Sequence, residues 1–149
     1  MKTMYCPFCE NKSLQKRIVI QNKLAFAFPT NIPIVSGHIL ISPKRHVRFY
    51  EDLTTAERKA IEALREKLAR ALTKAFRAEG FNYAWNEGDA AGQSVPHFHL
   101  HMLPRKKGDD GIYRYEPRKF LYRPRPRKIT TPEQELQEVA HLIRNALTR

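Results

Sequence analysis

Three of the six histidines in this 149-residue chain stand at alternate positions in the stretch HFHLH. Because side chains alternate between the two faces of an extended strand, His97, His99 and His101 are expected to share one face. The apolar Phe98 and Leu100 would share the other face and point into a core. Three imidazoles on one face can bind a metal ion, or one can act as a nucleophile while its neighbours move protons. The spacing alone leaves both interpretations open.

A glycine-rich loop, EGDAAGQSV, comes directly before the histidines. Gly88 and Gly92 let the backbone approach a ligand closely, and Ser94 with neighbouring N–H groups offers hydrogen-bond donors to an anion. A phosphate bound there would lie at the edge of the histidine row. A neutral imidazole that attacks its phosphorus would form a phosphohistidine-type intermediate, and a nearby imidazolium would protonate the leaving group.

The only two cysteines, Cys6 and Cys9, form a CxxC motif near the start of the chain. No apolar segment typical of a secretory signal surrounds them, so the motif indicates metal binding or redox use rather than a disulfide framework. A redox CxxC normally opens a helix after a strand, a context this segment lacks. Tetrahedral zinc would need two further ligands, and with no third cysteine these would be histidines.

Length and composition predict one soluble domain over residues 1–149. The chain is 42% hydrophobic, which is enough for one core, and it is too short to suggest two. No segment approaches the length of apolar sequence that spans a bilayer, so a membrane partner is not expected. We therefore expect a cytoplasmic protein.

Basic residues dominate the charge, with 27 Lys and Arg against 15 Asp and Glu. The net charge of +12 favours binding to polyanions such as nucleotides or nucleic acids. Much of it falls in the proline-containing segment 105–128, which holds ten basic and three acidic residues. This basic segment is either a solvated connector or a phosphate-attracting arm. The second reading gives an alternative function, a protein that binds nucleic acid or processes its ends, for example by deadenylylation or decapping.

Hydrophobic periodicity predicts an α+β fold. Short apolar or alternating runs indicate strands at 17–21, 24–29, 38–42, 81–86 and 96–103. A capping box of Thr54 and Glu57 opens a long amphipathic helix that Gly80 is placed to end, and a second amphipathic helix begins near Pro132. Short connections imply an antiparallel sheet of about five strands with the helices over one face.

Three segments together resemble the histidine triad (HIT) family. GQSVPHFHLHMLPRK at 92–106 closely resembles its His-x-His-x-His signature, and SGHILISPKRH at 36–46 is similar to its second characteristic segment. NEGDAAGQSV resembles the phosphate-binding lead-in of the nucleoside phosphoramidase and diadenosine polyphosphate hydrolase branches. The resemblance runs from about Tyr5 to Lys106 in the correct order. It implies a HIT-like fold and a nucleotide hydrolase or transferase that acts at the α-phosphate of an anhydride or phosphoramidate.

Carried onto this chain, the resemblance assigns His99 as the nucleophile that takes the nucleoside monophosphate. His101 would contact the phosphate and assist the leaving group, and His38 would support the histidine network. Water and inorganic phosphate remain alternative acceptors for the intermediate. Nucleotide or phosphate contacts are expected from Asn86, Gln93, Ser94 and Asn31, of which Asn31 matches the ribose position only with a shift of one residue.

The resemblance also implies a structural zinc ion, no organic cofactor and a symmetric homodimer. Several family members close a zinc site with a histidine at the end of the PKRH segment and the first histidine of the triad. The implied ligands here are Cys6, Cys9, His46 and His97. In members that lack the cysteines, the first triad histidine joins the hydrogen-bond network instead.

Overall fold

The computed structural model of the chain describes residues 4–109 and 132–148. Five antiparallel strands form one sheet in the order β1-β2-β3-β5-β4, as the sequence predicts for an α+β fold. The strands are β1 (Ile20–Gln21), β2 (Ala25–Pro29), β3 (Ile39–Pro43), β4 (Gly80–Ala84) and β5 (Leu100–Arg105). The helices are α1 (Pro7–Glu10), α2 (Lys12–Lys16), α3 (Thr55–Phe76) and α4 (Glu133–Leu147), and two 3-10 turns span Tyr50–Asp52 and Asp89–Ala91.

The two long helices cover one face of the sheet. The predicted capping box opens α3, because Thr54 accepts from the Glu57 N–H and the Glu57 carboxylate accepts from the Thr54 N–H. The apolar stripes of α3 and α4 pack against each other and against the sheet. The buried core includes Ile61, Leu64, Leu68 and Leu72 of α3, Ala140 and Ile143 of α4, and Phe98, Leu100 and Met102.

The N-terminal segment covers part of the opposite face. Phe8 and Leu14 pack with Phe26, Phe28 and Leu40 in a second buried cluster. This segment is tied to the helices as well. The Arg144 guanidinium donates to the backbone carbonyl of Ile18 at 2.9 Å, and buried Arg17 pairs with Glu133 at 3.0 Å. The face of the sheet opposite the long helices is therefore covered in part by an apolar cluster.

The strand predicted over 96–103 is shorter and lies further along the chain, at Leu100–Arg105. Its ladder with β3 stops at the pair Ile41 and Leu100. Beyond that point Pro43 has no N–H to offer a ladder, and the Ser42 hydroxyl donates instead to the Phe98 carbonyl at 2.7 Å. His97 and His99 therefore precede the strand.

The long helix also ends earlier than predicted, at Phe76 rather than near Gly80. Arg77 takes the left-handed conformation that closes the helix (φ 53°), a role that glycine normally fills. Gly80 instead begins β4, which ends at Ala84 rather than at residue 86.

No helix among residues 4–109 and 132–148 is long and apolar enough to cross a membrane. Most of the basic segment 105–128 lies outside the described residues, and its proposed contact with nucleic acid stays a prediction. The single-domain organisation over 1–149 and the cytoplasmic location also stay predictions.

Candidate active site and metal centre

His99 is held in one orientation just before β5. Its Nδ1–H donates to the His97 carbonyl at 2.8 Å, which leaves Nε2 with its lone pair. The backbone between the two histidines is fixed because the Phe98 N–H donates to the Val47 carbonyl at 2.6 Å. The side chain is only 7% exposed, and this burial lowers the pKa of His99. The ring is therefore neutral near pH 7 and has one free nitrogen, as a nucleophile requires.

His38 and His101 form a relay beside it. The Ile34 N–H donates to Nδ1 of His38 at 3.1 Å, so the proton of the neutral His38 ring is on Nε2. That nitrogen is 2.9 Å from Nδ1 of His101 and donates to it. The neutral His101 ring consequently carries its own proton on Nε2. Its centroid lies 5.0 Å from that of His99, so a hydrogen-bond donor lies next to the His99 ring.

The glycine-rich loop leads directly into the histidines. Gly88 and Gly92 both have positive φ, at 83° and 86°, which explains glycine at these positions. Gln93 is buried and bridges the loop to the neighbouring segment. Its Oε1 accepts from the Gly88 N–H at 2.8 Å and its Nε2 donates to the Arg48 carbonyl at 3.0 Å. Gln93 thus shapes the loop.

The other predicted polar residues differ in their access to a ligand. Ser94 is exposed at the end of the loop, and Asn86 is half-buried at its start. Asn31 is exposed on the turn after β2. Its neighbour Thr30 is buried, with its hydroxyl accepting from the Ile32 N–H at 3.3 Å.

The four predicted metal ligands come together in one cluster. The ligand atoms of Cys6, Cys9, His46 and His97, which we call the Cys2His2 cluster, lie within 4.8 Å of one another. Tetrahedral zinc would hold such atoms roughly 3.5 Å apart, so a small inward movement closes the site. Nδ1 of His97 is 3.5 Å from each sulfur, while its Nε2–H donates to the Pro43 carbonyl at 2.8 Å. That bond fixes the tautomer that directs a lone pair at the cluster.

The protonation of the cluster without metal follows from its setting. Burial lowers the pKa of His97 to about 4, so the ring is neutral and ready to bind a cation. Desolvation and the adjacent Cys6 thiol raise the pKa of Cys9 to about 11. A metal ion would therefore have to displace a thiol proton, and its affinity would fall as the pH falls.

Sequence reasoning missed two residues of this region. Phe8 packs edge-on against the His99 ring, with centroids 5.1 Å apart and planes at 89°. Arg48 lies beside the loop, where its guanidinium reaches Asp89 at 3.3 Å. The only signal for Phe8 was its position between the two cysteines, and Arg48 had none, since both contacts join segments far apart in the chain.

Comparisons with known proteins agree with this geometry. Residues 11–108 match the family model described as HIT domain. An uncharacterised HIT-like protein of Mycoplasma genitalium is 34% identical over 112 residues, covering 74% of this chain and 79% of that protein. A bis(5'-adenosyl)-triphosphatase of Dictyostelium discoideum is 35% identical over 103 residues, covering 66% of this chain and 69% of that protein.

A solved structure is also similar to this chain in its fold. The zinc-bound histidine triad family protein from Mycobacterium smegmatis is 28% identical, with a TM-score of 0.67 over 89% of this chain and 84% of that one. The family match contains the histidine row, the relay histidine and the glycine-rich loop. The chain belongs to the histidine triad (HIT) family of nucleotide hydrolases and transferases.

Proposed function

We propose that the chain cleaves dinucleoside polyphosphates or nucleoside phosphoramidates at the α-phosphate through a nucleotidyl intermediate on His99. The observation that carries this proposal is the hydrogen bond from Nδ1 of His99 to the His97 carbonyl. It leaves Nε2 as the nucleophile and disperses the positive charge that the ring gains when that nitrogen forms a bond. Relatives such as the Dictyostelium triphosphatase act on substrates of this class by name.

The reaction proceeds in two displacements. Nε2 of His99 attacks the α-phosphorus, forming a phosphorus–nitrogen bond as the bond to the leaving group breaks. The Nε2–H of His101 donates a hydrogen bond to the leaving-group atom and stabilises the charge that it gains, and the leaving group takes any proton it needs from solvent. His38, hydrogen-bonded to His101 at 2.9 Å, holds the donor in place. Water, or inorganic phosphate, then attacks the same phosphorus as the bond to Nε2 of His99 breaks, any proton lost by the attacking group is released to solvent, and His99 is free again.

The phosphate contacts belong to the same proposal. Asn86 and Ser94 lie at the two ends of the loop, where amide and hydroxyl groups can donate to the non-bridging oxygens. Gln93 would act indirectly, by holding the loop through the Gly88 N–H. Asn31 would contact the ribose, a role for which its exposure on the turn after β2 is the support.

The Cys2His2 cluster is proposed to bind zinc. Two thiols and two imidazoles are the donor set that zinc prefers in closed structural sites, and His97 directs a lone pair at it. A zinc ion there would tie the N-terminal segment to the histidine row. Metal analysis tests this proposal: purified wild type should carry about one zinc per chain and Cys9→Ala almost none. Equal zinc in both proteins would contradict it.

A homodimer through the open edge of the sheet is the remaining proposal. Within residues 4–109 and 132–148, β4 is an edge strand, and Tyr83 and Trp85 at its end are 39% and 44% exposed. Large exposed aromatics on an edge strand are typical of an interface. A second copy of this chain is the proposed occupant.

Hydrolysis of diadenosine tetraphosphate in water enriched with oxygen-18 tests the reaction. Attack at the α-phosphorus should place the label in adenosine monophosphate and leave adenosine triphosphate unlabelled. Added inorganic phosphate should yield adenosine diphosphate in place of the monophosphate if phosphate is the acceptor. Label in the triphosphate, or absence of cleavage with both this substrate and an adenosine phosphoramidate, would contradict the proposal. An adenylylated oligonucleotide in the same panel tests the end-processing alternative.

A further inference from the structure

Phe8 connects the metal cluster to the candidate nucleophile. It stands between Cys6 and Cys9 in the sequence, so any ion bound by the two sulfurs fixes the backbone on both sides of it. Its ring is 6% exposed and meets the His99 ring edge-on, with the centroids 5.1 Å apart. The same ring lies 5.6 Å from the His97 ring and 5.1 Å from that of Phe28. Phe8 thus forms one wall of the space in which His99 can turn.

A second connection runs through His97 itself. Its imidazole belongs to the Cys2His2 cluster, and its backbone carbonyl accepts the Nδ1–H of His99 at 2.8 Å. The hydrogen bond fixes one edge of the His99 ring, while Phe8 limits rotation from the side. Both contacts that restrain the His99 ring therefore come from the proposed metal site. His97 is one of its ligands, and Phe8 lies between two others, Cys6 and Cys9.

We propose that Phe8 is a positioning residue that couples occupancy of the Cys2His2 cluster to the orientation of the His99 ring. This inference rests on the proposed function, in which that ring attacks phosphorus. An ion held by the cluster would tie the Cys6–Cys9 turn to His97 and keep Phe8 packed against His99. Without the ion, the turn and the phenyl ring are less restrained, and the ring of His99 samples orientations in which Nε2 does not face the substrate.

Nuclear magnetic resonance of histidine-labelled protein tests the coupling without nucleotide. The His99 ring signals are assigned by their loss in His99→Ala and recorded in metal-free and zinc-loaded protein. Zinc should shift these signals in the wild type and shift them less in Phe8→Met, which retains most of the volume but loses the aromatic ring. Leu14→Ala is the matched control, since Leu14 is buried in the same cluster of the same N-terminal segment. It should lower stability yet keep the full zinc-dependent shift.

Single-turnover kinetics provide the second measurement. Zinc-loaded Phe8→Met should form the nucleotidyl adduct about tenfold more slowly than wild type, with little change in the substrate concentration for half-saturation. Zinc that leaves the His99 signals unmoved in the wild type, or moves them equally in Phe8→Met, would overturn the coupling. Failure of the proposed function would give a different result from failure of the coupling. The spectra would change with zinc as expected, but neither the wild type nor any variant would form an adduct.

Discussion

At the scale of single residues, the alternation of histidines predicts which side chains share a face, but not which nitrogen of each carries the proton. Phe98, Leu100 and Met102 do enter the core, as the spacing requires. The tautomers depend on contacts with particular backbone groups, the Ile34 N–H four residues before His38 and the Pro43 carbonyl 54 residues before His97. No sequence pattern reveals such partners. The resemblance therefore placed His38 and His101 in one histidine network, but it did not show which of the two donates the hydrogen bond between them.

The relay makes a direct prediction for His38→Leu. Without the Nε2–H of His38, the neutral His101 ring can place its proton on Nδ1 and lose its donor towards the leaving group. We expect kcat to fall by about 10- to 100-fold, at most the lower end of the roughly 10²- to 10³-fold cost of removing a charge-stabilising donor, because the variant misorients this donor without removing it. Steady-state hydrolysis of diadenosine tetraphosphate measures the change. His141→Leu, on the exposed side of α4, is the control and should keep wild-type kcat. An unchanged kcat in His38→Leu would remove His38 from the mechanism.

At the scale of elements, both long helices and all five strands were predictable from periodicity and capping residues. The failures are at boundaries, where a contact from elsewhere decides the outcome. The Val47 carbonyl and the Ser42 hydroxyl take the backbone groups of Phe98, so β5 starts at Leu100 although the alternation starts earlier. An alternating sequence therefore predicts which face a side chain lies on more securely than it predicts whether that residue is hydrogen-bonded into the sheet.

The start of α3 predicts a pH-dependent stability. The hydrogen bonds and charge of Arg45 lower the pKa of the Glu57 carboxyl below its ordinary 4.5. Folding therefore favours the ionised form, and this contribution is present above pH 4.5 and is lost as the pH falls through the depressed pKa. Glu57→Gln should lower the free energy of unfolding by about 1 kcal/mol at pH 7, with a smaller difference at pH 3.

Urea denaturation at the two pH values measures this difference. Glu62→Gln is the matched control, because Glu62 also pairs with an arginine in α3 but its side chain is 54% exposed. It should cost less than Glu57→Gln at pH 7. The role assigned to the ion pair would be contradicted if Glu57→Gln lowered the free energy of unfolding no more than the control does. It would also be contradicted if the loss were the same at both pH values.

At the scale of the whole molecule, the N-terminal segment is the part whose role the local sequence least reveals. Its CxxC motif left metal and redox use open, and only the resemblance supplied His46 and His97 as partners. The fold brings the four predicted ligand atoms within 4.8 Å of one another and places Phe8 against His99. Contacts between residues about 90 positions apart decide this arrangement, which explains why composition and periodicity did not predict it.

The exposed edge of the sheet predicts the oligomeric state. If β4 and its aromatics form the homodimer interface, Trp85→Lys would place a charge in it and shift the protein towards the monomer. Light scattering after size exclusion should give twice the chain mass for wild type and a lower value for the variant. Leu142→Lys is the control, since Leu142 is an exposed apolar residue on α4. A monomeric wild type, or equal dissociation of both variants, would contradict this interface.

The central claim is that His99 carries the nucleotide, and rapid mixing with quenched intact-protein mass spectrometry tests it most directly. Wild type mixed with diadenosine tetraphosphate or an adenosine phosphoramidate should gain the mass of one adenosine monophosphate group, in an acid-labile bond. His99→Ala should bind nucleotide and gain nothing. The same adduct in His99→Ala, or turnover by that variant at the wild-type rate, would contradict the account.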